Sequence, residues 1–99
     1  MQAVVINRIS LSVPTGQVLP DIEREVAPVL AALEGFVGLT VVQTGPAEVV
    51  VIIRWASMEA AAAGAAVLGP GAFNTWIAPR STGQDRVVGT VALDAGWGA

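Results

Sequence analysis

The chain has 99 residues, enough for one domain spanning residues 1–99 and no second one, because a core of this size buries only about 60 to 65% of the surface that the unfolded chain exposes. Hydrophobic residues make up 54% and charged residues 13%, more apolar surface than a small monomer hides, so an oligomer is expected. The absence of His, Cys and Lys excludes a disulfide, a Cys nucleophile, a Ser-His-Asp triad, an ordinary zinc or copper site, a Schiff base and a Walker-type phosphate clamp, and a net charge of −3 without a basic cluster argues against nucleic acid.

Met1-Gln2-Ala3-Val4 lacks a positive leader, so no signal peptide and a cytoplasmic location are expected. Residues 3–13 alternate, with Ala3, Val5, Asn7, Ile9, Leu11 and Val13 on one face and Arg8 on the other, and predict a strand. Pro14-Thr15-Gly16 reads as a turn, and Pro20 as the first turn of a helix, with Asp21 and Glu23 favourable to its dipole. Ile22, Val26, Val29, Leu30 and Leu33 form the apolar stripe of that helix, in which Pro28 predicts a kink or a break near Ala27. Phe36–Thr44 reads as a second strand, Gly45-Pro46-Ala47 as a tight reversal, and Glu48–Trp55 as a third strand that is apolar on both faces. Ser57 is the expected N-cap of an Ala-rich helix over Ala60–Leu68, which Gly69-Pro70-Gly71 stops. The uncharged stretch 60–79 is too rich in Ala, Gly and Pro for a membrane span, so no membrane contact is expected. Arg86–Asp94 supplies the last predicted strand, and Trp97 in the Gly-rich tail is read as a partner contact or a disordered residue.

The order β-α-β-β-α-β predicts a ferredoxin-like α+β sandwich with both helices on one face of an antiparallel sheet. The doubly apolar third strand then needs a cover on its other face, and a second copy of the sheet is the simplest one, so a homodimer packed sheet to sheet is expected.

Gly35-Phe36-Val37-Gly38 at the start of the second strand and Trp55-Ala56-Ser57-Met58-Glu59-Ala60 at the strand-to-helix junction resemble the antibiotic biosynthesis monooxygenase family of dimeric α/β barrels, over roughly residues 3–93. The resemblance implies a dimeric barrel and one of several activities: cofactor-independent oxidation of polyketide anthrones and quinols, haem degradation, or none. For the haem-degrading branch, Asn7 matches the strand-one asparagine. The iron-ligating histidine falls near Asn74 or Thr75, and a second tryptophan is Ala65, which disfavours that branch. For the oxygenase branch, Trp55 matches the catalytic tryptophan, while the asparagine four residues before it is Val51, the tyrosine six residues after it is Ala61, and Arg80 stands in for a distal arginine.

The candidate catalytic residues are Asn7 and Trp55. Asn7, on an apolar face, either donates a hydrogen bond to a substrate oxygen or is satisfied by backbone groups. Trp55 either stacks on a flat aromatic ligand or plugs the end of the core. The long connection after Gly69 carries Phe73, Asn74, Trp76 and Arg80, the candidate substrate-binding residues, with Arg80 placed to pair with a carboxylate or enolate. Arg8 and Arg54 read as rim or ion-pair residues, and the small side chains of the second helix imply either close packing on the sheet or a cavity of ligand size. Two functions compete on these residues. One is a monooxygenase acting on a small aromatic ligand, polyketide-like or quinol, with no metal and no cofactor. The other is a non-catalytic ligand-binding or regulatory dimer of the same fold.

Overall fold

The structure, a computed structural model, describes residues 1–96, so Trp97 lies outside the described residues. Alternation makes Ala3–Leu11 a strand (β1) in which Ala3, Val5, Asn7, Ile9 and Leu11 are buried while Ile6 and Arg8 are exposed. It ends before the expected Val13. A register shift after Ser10 and hydrogen bonds from the Leu11 N–H to the Ala47 carbonyl and from the Ser12 N–H to the Arg80 carbonyl turn the chain there.

The first helical segment, residues 15–31 (α1), starts at Thr15 rather than Pro20, so Pro14-Thr15-Gly16 is a helix N-terminus and not a turn. Thr15 is fully buried, and the hairpin beyond the helix holds it: its N–H donates to the Pro46 carbonyl at 2.8 Å and its hydroxyl to the Gly45 carbonyl at 3.3 Å. These acceptors come from a distant part of the chain, which is why local pattern places the start too late. The segment is α-helical over Thr15–Asp21, widens to a π-helical turn over Ile22–Val26, and is α-helical again over Ala27–Ala31.

The break expected near Ala27 is absent, and the wide turn is its replacement. Pro28 has no N–H for the Arg24 carbonyl and its ring crowds that group; in the wide turn the Ala27 N–H donates instead to the Ile22 carbonyl. The turn also aligns the buried row Val18, Ile22, Val26 and Leu30, which steps by four residues. In an ideal α-helix each such step overshoots a full turn by about 40°. The π turn absorbs that drift and leaves Val29, expected on the stripe, exposed.

Gly35 ends the first helical layer with φ +81°, where L side chains are disfavoured, and a Cβ there would lie 2.5 Å from the Cβ of Ala60. Phe36–Gly45 (β2) and Glu48–Trp55 (β3) form the expected hairpin. Their register shifts between Phe36 and Gly38 and again between Gln43 and Gly45. Helix α2, Met58–Leu68, is capped as expected by Ser57, whose Oγ accepts from the Ala60 N–H at 3.1 Å. The α-helix ends at Leu68 and the break falls within Gly69-Pro70-Gly71 as expected, at Gly71 (φ −96°, ψ −111°), after which residues 72–80 continue as short helical turns.

The last strand, β4, is Ser81–Thr90 rather than Arg86–Asp94. It pairs with β1 from Leu11 back to Ala3, and its first residues are polar and exposed, so they carry no apolar alternation for a sequence reading to find. The sheet order is β2-β3-β1-β4, antiparallel throughout, with the helices on one face: the ferredoxin-like α+β fold. Val49, Val51, Ile53 and Trp55 of β3 are buried under the helices, while Val50 and Ile52 are half-buried on the outer face beside Val4 and Ile6. No helix among the described residues is long and apolar enough to cross a membrane.

Trp55 is 1% exposed, meets the Phe36 ring edge-on at a centroid distance of 5.8 Å, and lies flush against the α2 backbone at Gly64. A Cβ on Gly64 would fall 2.1 Å from Cη2 of the indole. Gly64→Ala is therefore expected to destabilise the protein by about 1 to 3 kcal/mol in urea denaturation, although alanine is the better helix former. A stabilised variant would show that the indole is free to move away.

Candidate functional site

The helices do not pack down evenly on the sheet. At Gly64 the α2 backbone touches Trp55, while Ala61 and Ala65 on the same helix line a cavity, so both alternatives expected of the Ala-rich helix occur side by side. What remains between the layers is a cavity of about 210 Å³. Its walls are Val5, Ile9, Val51 and Ile53 from the sheet, Ile22, Val26 and Leu30 from α1, and Phe73 and Ile77 from the segment after α2. The π-helical turn matters to the site because Ile22 and Val26, at its two ends, both face the cavity. Trp55 forms one wall.

Among the described residues, the polar side chains that line this space are Asn7, Gln84 and Arg86, with the indole of Trp55 beside them. Asn7 stands opposite Val51 on β3 and opposite Arg86 on β4, and Gln84 lies two residues back along β4 on the same face. Asn7 is 9% exposed; its Nδ2 donates to the Gln84 Oε1 at 2.9 Å, and its Oδ1 is buried without a hydrogen-bond partner, which is true of no other side-chain N or O atom among the described residues. An orphaned buried carbonyl oxygen costs about 1 to 3 kcal/mol, so a hydroxyl delivered there by a ligand recovers that loss. The structure thus adds to the role expected of Asn7: one N–H of its amide is given to Gln84, and the oxygen left without a partner is an acceptor. Gln84 and Arg86 are exposed, which places them at the cavity mouth along the open side of β4.

Of the residues singled out in the sequence, Asn7, Trp55 and Phe73 line the cavity together. Asn74, Trp76 and Arg80 are not among its lining residues. Asn74 is exposed on the short helix Asn74–Trp76, and Trp76 packs half-buried on the core. Arg80 pairs with Asp21 at 2.9 Å, donates from Nη1 to the Gln17 carbonyl at 3.1 Å, and donates from Nε to the Trp76 carbonyl at 3.1 Å. Its guanidinium is occupied in tying residues 69–80 to α1. Arg8 and Arg54 are on the outer face, near Glu48 and Asp94 respectively. Gln84 lies ahead of the predicted strand Arg86–Asp94, and Arg86, its first residue, carries no signal of which face it takes; with β4 begun at Ser81, two-residue alternation puts both on the face of Asn7.

No model of a known protein family and no curated protein sequence matches the chain. Solved structures do. SnoaB, a cofactor-independent oxygenase from Streptomyces nogalater, superposes with a TM-score of 0.81 at 20% identity, over 94% of this chain and 95% of that one. The haem-degrading MhuD of Mycobacterium tuberculosis is 28% identical with a TM-score of 0.62, over 95% of this chain and 99% of that one. A Chloroflexus aurantiacus protein provisionally assigned to the antibiotic biosynthesis monooxygenases is 17% identical with a TM-score of 0.72, over 99% and 100%. The chain has the fold of the antibiotic biosynthesis monooxygenases.

That fold also houses haem in MhuD. The walls hold no histidine, cysteine, tyrosine or methionine to ligate iron. No group of acidic, His or Cys side chains among the described residues forms a metal site either. The residues present do not fit the group.

Proposed function

We propose, from the fold shared with a cofactor-independent oxygenase, that this chain is a monooxygenase that oxidises an aromatic polyketide-like or quinol substrate with O2 in the cavity between sheet and helices. The observation that carries this reading is the unpartnered Oδ1 of Asn7, a buried acceptor in a largely apolar chamber. Such chemistry asks little of the protein beyond that. An electron-rich arene supplies the electrons itself: an activated CH2 and O2 become C=O and H2O, with no external reductant. The chain must bind and orient the ring, hold its oxygen, and keep water from reactive intermediates.

Each part has a candidate. Trp55 and Phe73 supply aromatic walls for the ring, Asn7 holds the hydroxyl of the substrate, and the aliphatic walls exclude water. Arg80 serves by holding the 69–80 segment over the cavity. Among the described residues no carboxylate lines the cavity, so the proton leaves to solvent at the mouth, beside Gln84 and Arg86. The outer sheet face, with Val4, Ile6, Val50 and Ile52 side by side, is the surface on which two copies pair.

Oxygen uptake with a panel of anthrones and dihydroquinones tests the reading. Wild-type protein is expected to raise uptake above autoxidation, and Asn7→Ala to lower the rate by about 10- to 100-fold; Trp55→Phe should lower it less. Uptake no faster than autoxidation across the panel would favour the second reading, a binding or regulatory dimer. That alternative draws on Val51 and Ala61, two cavity walls that contribute only hydrocarbon.

A further inference from the structure

We propose that Arg86 makes the cavity selective for an arene that carries a carboxylate, with the charged group held at the mouth and the ring system inside. The inference rests on the reading above that this cavity is the binding site, and it adds a requirement that phenol or quinol chemistry does not make: a negative charge on the ligand.

The distribution of charge in the chain singles out this residue. Four of the five Arg have a carboxylate oxygen within 4.0 Å: Arg8 at Glu48, Arg24 at Asp21, Arg54 at Asp94 and Arg80 at Asp21. Arg86 has no such partner among the described residues, and it is the arginine that lines the cavity, where no carboxylate among them accompanies it. Asp85 is next to it in sequence, but alternation along β4 turns Asp85 to the outer face, opposite Arg8. Every other arginine is neutralised within the fold, and the one at the mouth is left to an anion from outside.

The surroundings say what kind of anion. Asn7 faces Arg86 directly across the β1–β4 register, and Gln84 is two residues away on the same face. In such a cross-strand pair the Cβ atoms are about 4.5 to 5.5 Å apart, so guanidinium and amides form one polar edge along the open side of β4. Asn7, 9% exposed, is its buried end and Arg86 its exposed end. The remaining walls are largely hydrocarbon, from Ile22, Val26 and Leu30 of α1 to Phe73 and Ile77 beyond α2. A ligand that suits both parts is amphipathic, with an apolar ring system inward and its charge outward. The planar guanidinium receives a carboxylate through two parallel N–H donors, and apolar walls beside the pair leave it less screened than one in open water. The molecule as a whole, at net −3, repels anions, so the preference is local to this edge.

The test compares 2-naphthoate with 2-naphthamide, matched in shape and different in charge, by calorimetric titration of the whole chain at low salt. Wild-type protein is expected to prefer the naphthoate by about five- to tenfold, and the preference should shrink to about twofold in roughly 0.5 M NaCl. Arg86 is exposed, so it can be changed without opening the core. Arg86→Gln should bring the ratio to about one or below and leave the naphthamide affinity within about twofold, whereas Arg86→Lys keeps the charge, loses the paired donors and should retain part of the preference. Arg8→Gln removes the same charge from the outer face and should leave the ratio unchanged. Equal or weaker binding of the naphthoate by the wild type, a wild-type ratio surviving in Arg86→Gln, or a ratio lost equally in Arg8→Gln overturns the inference. If the preference is absent and Arg86→Gln instead reduces the particle size in sedimentation, the guanidinium pairs with an acid of a second copy and the inference is wrong. The oxygenase reading fails separately: a naphthoate preference without any oxygen uptake leaves the anion site standing and removes the reaction, whereas uptake with neutral substrates and no naphthoate preference keeps the reaction and removes the anion site. Binding of neither probe overturns the inference as well.

Discussion

Trp55→Ala is expected to lower the stability of the protein by about 3 to 5 kcal/mol, and its midpoint of thermal unfolding by about 15 °C or more. A domain of this length holds only roughly 5 to 15 kcal/mol in total, so the variant sits near the edge of folding. The size of the effect follows from placement. The indole is almost wholly buried, is met edge-on by Phe36, and fills the space that Gly64 leaves vacant on α2, so its loss opens a cavity that the Ala-rich helix has no side chain to refill. Trp55→Phe should cost markedly less because a ring still reaches Phe36. Urea denaturation followed by circular dichroism decides it, and a loss under 1 kcal/mol would mean that the indole is not packed as described.

Glutamates at Val51 and Ile52 are expected to fail in different ways. Val51 lines the cavity opposite Asn7, in walls with no cation except Arg86 at the mouth, so Val51→Glu buries a carboxylate among hydrocarbon at a cost of about 3 kcal/mol or more, and poorly folded protein should result. Ile52 is its neighbour on the outer face, half-exposed in the single chain. Ile52→Glu should leave the circular dichroism spectrum unchanged and convert the proposed dimer to a 10.1 kDa particle in sedimentation. An Ile52→Glu dimer would place the interface elsewhere, and a stable Val51→Glu protein would mean that water already fills the cavity.

The contrast between these two neighbours was legible in the sequence, because β3 is a run whose alternate residues must face opposite ways whatever the register. The element order, Ser57 as a cap and the β2–β3 hairpin were legible for the same reason: each depends on residues adjacent in the chain. What escaped depends on residues far apart. Thr15 begins α1 because the hairpin carbonyls at Gly45 and Pro46 receive it. The π turn answers both Pro28 and a row of side chains stepping by four. At the site, Asn7 and Trp55 stood out as a polar group on an apolar face and an aromatic at a junction, while Gln84 is an ordinary exposed glutamine until the β1–β4 register sets it against Asn7. Arg80 shows the converse, a charge that looked free in the sequence and is engaged by Asp21 and two backbone carbonyls.

The two register shifts at the ends of β2 bear on how so apolar a chain avoids fibres. β2 and β4 are the edges of the sheet, each with one row of backbone groups open to a strand from another molecule. Bulges bend an edge and interrupt its hydrogen-bonding row, and here they bracket β2 so that only a short run of it is regular. β4 is guarded differently, with Asp85 and Arg86 adjacent in its middle and Gly83 and Gly89 toward its ends, a composition that a growing stack of strands does not readily accept. Lateral strand addition is thereby blunted at both edges while the outer face keeps the apolar patch of Val4, Ile6, Val50 and Ile52, an arrangement that favours the proposed closed pair over open-ended polymer.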